Sequence, residues 1–154
     1  MKIVIVRHGD AVFSSNDRVL SQNGIKEVSA TGQKLSSLIK LTRCYSSPKT
    51  RAMQTANIIA EHNGYHEKIE YLSDLTPSGD AHQVIDFLTA GCGKNDNVLL
   101  VSHLPLVEIL AYDLNRKSVI PPQFDTACAL ILNYDGEKGE YERFISPYDE
   151  DYTF

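Results

Sequence analysis

The chain has 154 residues, of which 42% are hydrophobic and 23% are charged, and this composition excludes a disordered protein. The length suits one folding unit, so we predict a single domain over residues 1–154. The formal net charge of −5 disfavours a nucleic-acid partner, because proteins that bind nucleic acids usually present a basic face.

The cysteines and the apolar runs predict where the protein acts. Cys44, Cys92 and Cys128 form no CxxC pair, so we expect reduced thiols and a cytoplasmic protein. The apolar run at the start is too short for a signal peptide. No stretch approaches the roughly 20 apolar residues of a membrane helix, so we expect no membrane partner.

The chain begins with a strong strand pattern. Residues 2–8, KIVIVRH, form an apolar run rich in Val and Ile, which predicts a strand buried on both faces, as in a parallel sheet. The polar residues 13–24 predict a connection, with Ser21 as the N-cap of the next element. From 22 to 40 the apolar residues recur at helical spacing, which predicts a helix.

Shorter elements follow in the middle of the chain. RCYSSP at 43–48 predicts a short strand whose proline suits the first turn of a helix ending near His62. IEYL at 69–72 predicts a short edge strand. Either Ser78 or Asp80 is a candidate cap for the helix after it.

The last elements complete an α/β pattern. NVLLVSH at 97–103 predicts a second buried strand, and 104–114 predict a helix. Residues 126–135 and 141–146 predict two antiparallel strands joined by a turn. The alternation predicts a three-layer sandwich with helices on both faces of a mainly parallel sheet that has one antiparallel edge strand. We expect the tail, 146–154, to be mobile.

Basic side chains follow each inner strand, at the point where the strand ends. Arg7 and His8 end the first strand, Arg51 lies in the helix after the second, and His103 follows the strand after residue 97. Ligands of such sheets bind beyond the carboxyl ends of the strands, so we expect these side chains to lie together. Arginine binds phosphate oxygens in pairs, and histidine can act as a nucleophile near neutral pH. The pattern predicts phosphoryl transfer through a phosphohistidine.

A metal site is the alternative interpretation of the same residues. It would use His8, His103 and an aspartate, but the adjacent arginines would repel a cation. We therefore predict no metal and no cofactor. We interpret His62, His66 and His82 as structural residues.

Three motifs carry a resemblance to a known family. VRHGD, SSPKTRAMQTA and VSHLPLV, in this order, resemble the histidine phosphatase superfamily, which has the fold of cofactor-dependent phosphoglycerate mutases. Within it the chain is similar to the bacterial phosphohistidine phosphatases of the SixA type. LSQNG, LTPSGD and the closing strand pair extend the resemblance over almost the whole chain.

The resemblance implies a role for each residue of the motifs. His8 would be the nucleophile that takes the phosphoryl group onto a ring nitrogen. Arg7 and Arg51 would hold the phosphate oxygens, and His103 would stabilise the charge of the phosphoryl group in the transition state. Arg18 is either a further phosphate or substrate contact or a solvated loop arginine.

The resemblance does not supply a general acid. Many members carry a glutamate after the third strand, and Pro77 stands roughly where it would fall. The open candidates are four aspartates: Asp10, Asp17, Asp74 and Asp80. An alkoxide leaving group gains greatly from an acid, whereas a phosphorylated imidazole whose other nitrogen bears a proton leaves as neutral imidazole and needs little help. The missing glutamate therefore favours phosphohistidine over phosphate esters as the substrate.

The resemblance and the short connections together predict the function. Short connections leave an open pocket, which suits a phosphorylated side chain on a folded partner. We expect a protein phosphohistidine phosphatase, acting as a monomer on a histidine-containing phosphotransfer domain or a phosphocarrier protein of bacterial signalling. The alternatives are a small-molecule phosphomonoesterase of the same fold, a mutase, and a module that binds phosphorylated partners with negligible turnover.

Overall fold

The computed structural model describes residues 1–154 and contains nine strands and four α-helices. The strands are β1 (Lys2–Arg7), β2 (Ala11–Ser14), β3 (Asp17–Leu20), β4 (Arg43–Ser46), β5 (Ile69–Tyr71), β6 (Asn97–Ser102), β7 (Ala129–Tyr134), β8 (Gly139–Ile145) and β9 (Tyr152–Thr153). The helices are α1 (Gln22–Leu38), α2 (Thr50–Asn63), α3 (Ala81–Gly91) and α4 (Leu106–Leu114). None of these helices has the length and apolarity needed to cross a bilayer.

Seven strands form one sheet in the order β5-β4-β6-β1-β7-β8-β9. The first four run parallel to one another, and β7, β8 and β9 each pair antiparallel with the strand before them in this order. The predicted α/β fold is confirmed, as are the edge position of β5 and the antiparallel pair β7–β8. The antiparallel part differs from the single edge strand predicted from the sequence. β7 pairs antiparallel with β1 inside the sheet, and Tyr152–Thr153 of the polar tail pairs with β8 and adds a further strand.

The sheet has a hydrophobic core on each face. Ile3, Val4, Ile5 and Val6 of β1 are all fully buried. Successive side chains of a strand point to opposite faces, so the two isoleucines lie in the core under α3 and α4, and the two valines lie in the core under α1 and α2. Because β1 has no solvent-facing side, its polar functional residues come only at its carboxyl end.

The predicted helix boundaries are close to those observed. Ser21 caps α1 by accepting the N–H of Gly24. Gly64 ends α2 in the left-handed conformation, with φ of 69°, which glycine adopts without strain. Asp80, rather than Ser78, caps α3. The proline at 48 precedes α2, whose first residue is Thr50.

The segment predicted as a polar connection contains a β-hairpin. β2 and β3 pair antiparallel, with Phe13 opposite Arg18. Leu20 at the end of β3 is buried, and its N–H donates to Oε1 of Gln54 on α2. The sequence pattern does not indicate these strands, because half of their side chains are exposed and the contacts that cover β3 come from the distant helices α1 and α2.

Candidate active site

The carboxyl ends of β1, β4 and β6 bring the predicted residues to one edge of the sheet. The His8 N–H donates to the Ser102 carbonyl at 3.0 Å, and the Ser47 N–H donates to the Val101 carbonyl at 2.9 Å. The rings of His8 and His103 have centroids 5.0 Å apart. The expected convergence of side chains from separate strands is therefore present.

His8 is held in one tautomer. Its Nδ1 lies 2.7 Å from the Gly9 carbonyl oxygen, which can only accept, so Nδ1 carries the proton. Its Nε2 accepts from the Nε–H of Arg51 at 3.3 Å. The unprotonated Nε2, with its lone pair, therefore faces the arginine. This is the orientation that a nucleophile needs if the arginine also holds the group under attack.

His103 is oriented by a serine that the motif contains. Its Nε2 lies 2.8 Å from Oγ of Ser47, and that oxygen also accepts the Lys49 N–H at 3.2 Å. The Ser47 hydroxyl can donate to Nε2 or accept from it, and in either case it fixes the orientation of the ring. Both His103 Nδ1 and Arg7 Nε are buried without a hydrogen-bond partner in the protein. Such groups are costly unless a ligand satisfies them.

The arginines surround the imidazoles from three elements. Arg7 donates through Nη1 to the Phe124 carbonyl at 2.9 Å, which fixes one arm of its guanidinium group. Arg51 stands in the first turn of α2, and burial and the nearby Arg18 lower its pKa. Arg18 of β3 is half-buried and also lowers the pKa of both His8 and His103. The structure therefore brings all five predicted residues into one positively charged cluster.

Both imidazoles are neutral at physiological pH. Burial, followed by the charges of Arg51 and Arg7, lowers the pKa of His8 to about 4, although the bond to the Gly9 carbonyl acts in the opposite direction. Burial and the neighbouring His8 and Arg51 lower the pKa of His103 to about 3. A neutral His8 keeps the lone pair that nucleophilic attack requires.

The lowered pKa values predict the protonation behaviour of the free protein. Protonation of either ring requires acid well below the ordinary histidine value of about 6.5, so both rings are expected to stay neutral from pH 8 to pH 5. Following the Cε1–H resonances of the two rings by NMR measures this directly. Titration of His8 near pH 6.5 would contradict the placement of its ring among buried cations.

Three of the four candidate acids accept hydrogen bonds in the folded chain. Asp80 accepts two N–H groups as the cap of α3, and Asp10 accepts the Ser21 hydroxyl at 2.6 Å. Asp17 accepts the Thr50 hydroxyl, and this bond lowers its pKa. Asp74 lies in a 3₁₀ turn over Ser73–Leu75. Three of the four are therefore engaged as acceptors, which suits their ionised form.

Three residues of the site were not identified from the sequence. Ser47 orients His103, as described above. Thr55 accepts the Gly9 N–H at 3.2 Å and donates to the Arg51 carbonyl at 2.8 Å. Glu27 is 4% exposed and accepts the Asp10 N–H at 2.9 Å. The signal for Glu27 was present, since a glutamate at helical spacing on the apolar face of α1 is unusual.

The fold and the cluster of imidazole and guanidinium groups define the class of protein. The chain belongs to the histidine phosphatase superfamily. Residues 3–76 match the family described as Histidine phosphatase superfamily (branch 1). The resemblance carried by the three sequence motifs is confirmed.

Two relatives that match nearly the whole chain indicate which members of the superfamily it resembles, the phosphohistidine phosphatases named SixA. The chain is 37% identical over 153 residues to the phosphohistidine phosphatase SixA homolog of Haemophilus influenzae. This match covers 91% of the chain and 92% of that relative. It is 33% identical over 157 residues to the phosphohistidine phosphatase SixA of Escherichia coli K12, with 96% and 94% covered.

Solved structures agree with the sequence relatives. The protein histidine phosphatase SixA, solved in complex with tungstate, superposes with a TM-score of 0.88 at 31% identity, covering 96% of this chain and 97% of that one. A phosphoglycerate mutase from Bacillus anthracis superposes with a TM-score of 0.68 at 17% identity, covering 92% and 91%. The second match shows the shared fold, which confirms the predicted phosphoglycerate mutase-like architecture.

Proposed function

We propose that the protein removes the phosphoryl group from a phosphorylated histidine of a partner protein, through a phosphohistidine formed on His8. The observation that carries the proposal is the orientation of His8, whose protonated Nδ1 is held by Gly9 while the free Nε2 faces Arg51. The names of the SixA relatives support the same substrate class.

The reaction follows from the geometry in two displacements. The Nε2 lone pair of His8 attacks the phosphorus, so a new P–N bond forms as the P–N bond of the substrate breaks, and the substrate imidazole leaves with its electron pair. A water molecule then attacks the phosphorus of phospho-His8. A P–O bond forms, the P–N bond to His8 breaks, the water's protons pass to phosphate and solvent, and His8 returns with its Nδ1 proton in place.

The basic residues stabilise the phosphoryl group during both displacements. Catalysis of phosphoryl transfer consists mainly of positioning and charge stabilisation. Arg51 reaches the oxygens from beside Nε2, and the unpartnered Nε–H of Arg7 supplies a further donor. When Ser47 donates to its Nε2, His103 offers a neutral Nδ1–H to the same oxygens. Arg18 adds a further positive charge near the two imidazoles.

The lack of an assigned acid predicts the choice of substrate. A phosphohistidine whose other ring nitrogen bears a proton leaves as neutral imidazole and needs little help from an acid, whereas an alkyl phosphate releases an alkoxide. We expect kcat/KM for a phosphohistidine peptide to exceed that for an alkyl phosphate monoester by at least about 100-fold, the size of a typical general-acid contribution. The measurement is the rate of phosphate release from both substrates. An activated ester, p-nitrophenyl phosphate, is measured beside them for comparison. Equal rates on the alkyl ester would favour the small-molecule phosphomonoesterase.

Exposed apolar side chains on two segments that also contribute to the site suit a protein substrate. Phe13 of the hairpin is 78% exposed, and its ring lies 5.9 Å from the guanidinium of Arg18. Ile120, in the segment leading to Phe124, is 80% exposed. We propose that a histidine-containing phosphotransfer domain or a phosphocarrier protein docks here. Purified proteins of both kinds that carry a labelled phosphoryl group identify the partner, because the true substrate loses its label. Binding without loss of the label would indicate a binding module instead.

We also propose the oligomeric state and the cellular location of the enzyme. The proposed mechanism needs no group beyond those at one edge of the sheet, so we propose that the protein acts as a monomer with a single domain over residues 1–154. Its three cysteines are free thiols, which supports action in the reducing cytoplasm.

A further inference from the structure

A series of hydrogen bonds leads from His8 to a carboxylate on α1. His8 Nδ1–H donates to the carbonyl oxygen of Gly9 at 2.7 Å. The N–H of the same peptide unit belongs to Asp10 and donates to Oε1 of Glu27 at 2.9 Å. The imidazole, one peptide group and the carboxylate are therefore connected in series.

The loop after β1 lies directly against α1, which makes this contact possible. A Cβ placed on Gly24 would stand 2.1 Å from the Asp10 carbonyl oxygen, so only glycine admits the loop at that distance. Gly24 precedes Glu27 by three residues, which places both on the same side of the helix. The backbone approach and the carboxylate thus both contact Asp10, the first at its carbonyl oxygen and the second at its N–H.

Glu27 is a buried charge without a cation. It takes part in none of the ion pairs of the protein. Besides the Asp10 N–H, it accepts the Thr126 hydroxyl at 3.0 Å on both oxygens and the Tyr148 hydroxyl at 2.9 Å on Oε2. This set of donors suits the ionised carboxylate.

Glu27 also holds the second segment that flanks the nucleophile. Thr126 precedes Ala127, whose N–H is shared between the carbonyls of Arg7 at 3.0 Å and His8 at 3.1 Å. The two backbone segments on either side of His8 are therefore both tied to one carboxylate. A shift of Glu27 would move both.

We propose that Glu27 is a positioning residue for His8, which acts on the imidazole through the Gly9–Asp10 peptide unit. The inference rests on the proposed function. A carboxylate that accepts the peptide N–H polarises the peptide group and strengthens the bond from Nδ1–H to the carbonyl. This orients Nε2, raises its electron density and stabilises the positive charge that phosphorylation places on the ring. In a Ser-His-Asp triad the carboxylate contacts Nδ1–H directly, whereas here one peptide group stands between them.

Two substitutions separate this role from simple anchoring. Glu27→Gln keeps the size and the oxygen that accepts the Asp10 N–H but removes the charge. Glu27→Ala removes both. Asp96→Asn is the matched control, because Asp96 also accepts a backbone N–H, that of Gly93 at 2.7 Å, and lies beside the amino end of β6, at the opposite edge of the sheet.

The test combines kinetics with a spectroscopic readout. For Glu27→Gln we expect kcat on a phosphohistidine peptide to fall by about 10-fold with KM within about twofold, as for other residues that orient a functional group. The Nδ1–H proton resonance of His8 should move upfield, and Glu27→Ala should lose more activity. Asp96→Asn should match the wild type. A Glu27→Gln protein with wild-type kcat and an unmoved resonance would overturn the proposal.

The wild-type protein provides a measurement that depends on no variant. A hydrogen bond to a carboxylate predicts a strongly downfield Asp10 amide proton, and the shift of a solvated amide there would also overturn the proposal. Failure of wild-type His8 to form a phosphoenzyme would instead reject the proposed function. The two resonances decide the role of Glu27 independently of that outcome.

Discussion

The His8→Ala protein is expected to lose turnover by at least about 10,000-fold, as when the nucleophile of a covalent mechanism is removed. No other side chain offers a free nitrogen at the position of Nε2, because the Nε2 of His103 is occupied by Ser47. The fold should persist, since the ring lies at the end of β1 and outside both hydrophobic cores. Phosphate release and an acid-labile phosphoryl group on the protein are the two measurements.

A matched control separates this effect from the loss of any histidine. His82→Ala removes an imidazole whose side chain is 81% exposed and should leave both measurements unchanged. Mass analysis of the wild-type protein after incubation with substrate should locate the phosphoryl group on His8. Full activity of His8→Ala would end the mechanism.

The Arg51→Ala protein is expected to lose about 100- to 1,000-fold in kcat/KM, the cost typical of removing one donor that stabilises developing charge. Arg51 donates to Nε2 of His8 and lies in the first turn of α2, so the same guanidinium both orients the nucleophile and binds the group it attacks. KM should rise and kcat should fall together, and the inhibition constant of inorganic phosphate or vanadate should rise. Steady-state kinetics with these anions as inhibitors measures all three.

A charge-conserving variant tests the geometry of the arginine. Arg51→Lys keeps the charge but loses the planar fork that binds two oxygens, so it should recover only part of the activity. Arg43→Ala is the control, because Arg43 pairs with Asp96 at 3.1 Å at the far edge of the sheet. An Arg51→Lys protein equal to the wild type would show that paired donation is not required.

Much of the fold was predictable because its signals are local. The apolar run of β1 requires burial on both faces, and the caps at Ser21 and Asp80 satisfy N–H groups within one helical turn. Most of the predicted basic residues of the site were also found this way. Arg7, His8, Arg51 and His103 each stand at or after the end of an inner strand, and parallel strands end at one edge of their sheet, whereas Arg18 came only from the resemblance.

Other features could not be predicted because they depend on contacts between distant segments. The hairpin β2–β3 is stabilised by α2, and β9 exists only because the tail reaches β8. The sequence also does not show which of the four candidate aspartates accept hydrogen bonds in the folded chain. Three of them act as acceptors in the folded chain.

The sequence by itself determined the fold class and the identity of the basic residues, since strand periodicity and the side chain that follows each strand end are properties of neighbouring residues. Only the tertiary structure decided the tautomer of His8, the orientation of His103 and the connection to Glu27. These depend on single hydrogen bonds between segments up to 99 residues apart, such as that from Thr126 to Glu27. Hydrogen-bond geometry is set by the relative placement of packed elements, and no pattern along the chain encodes it directly.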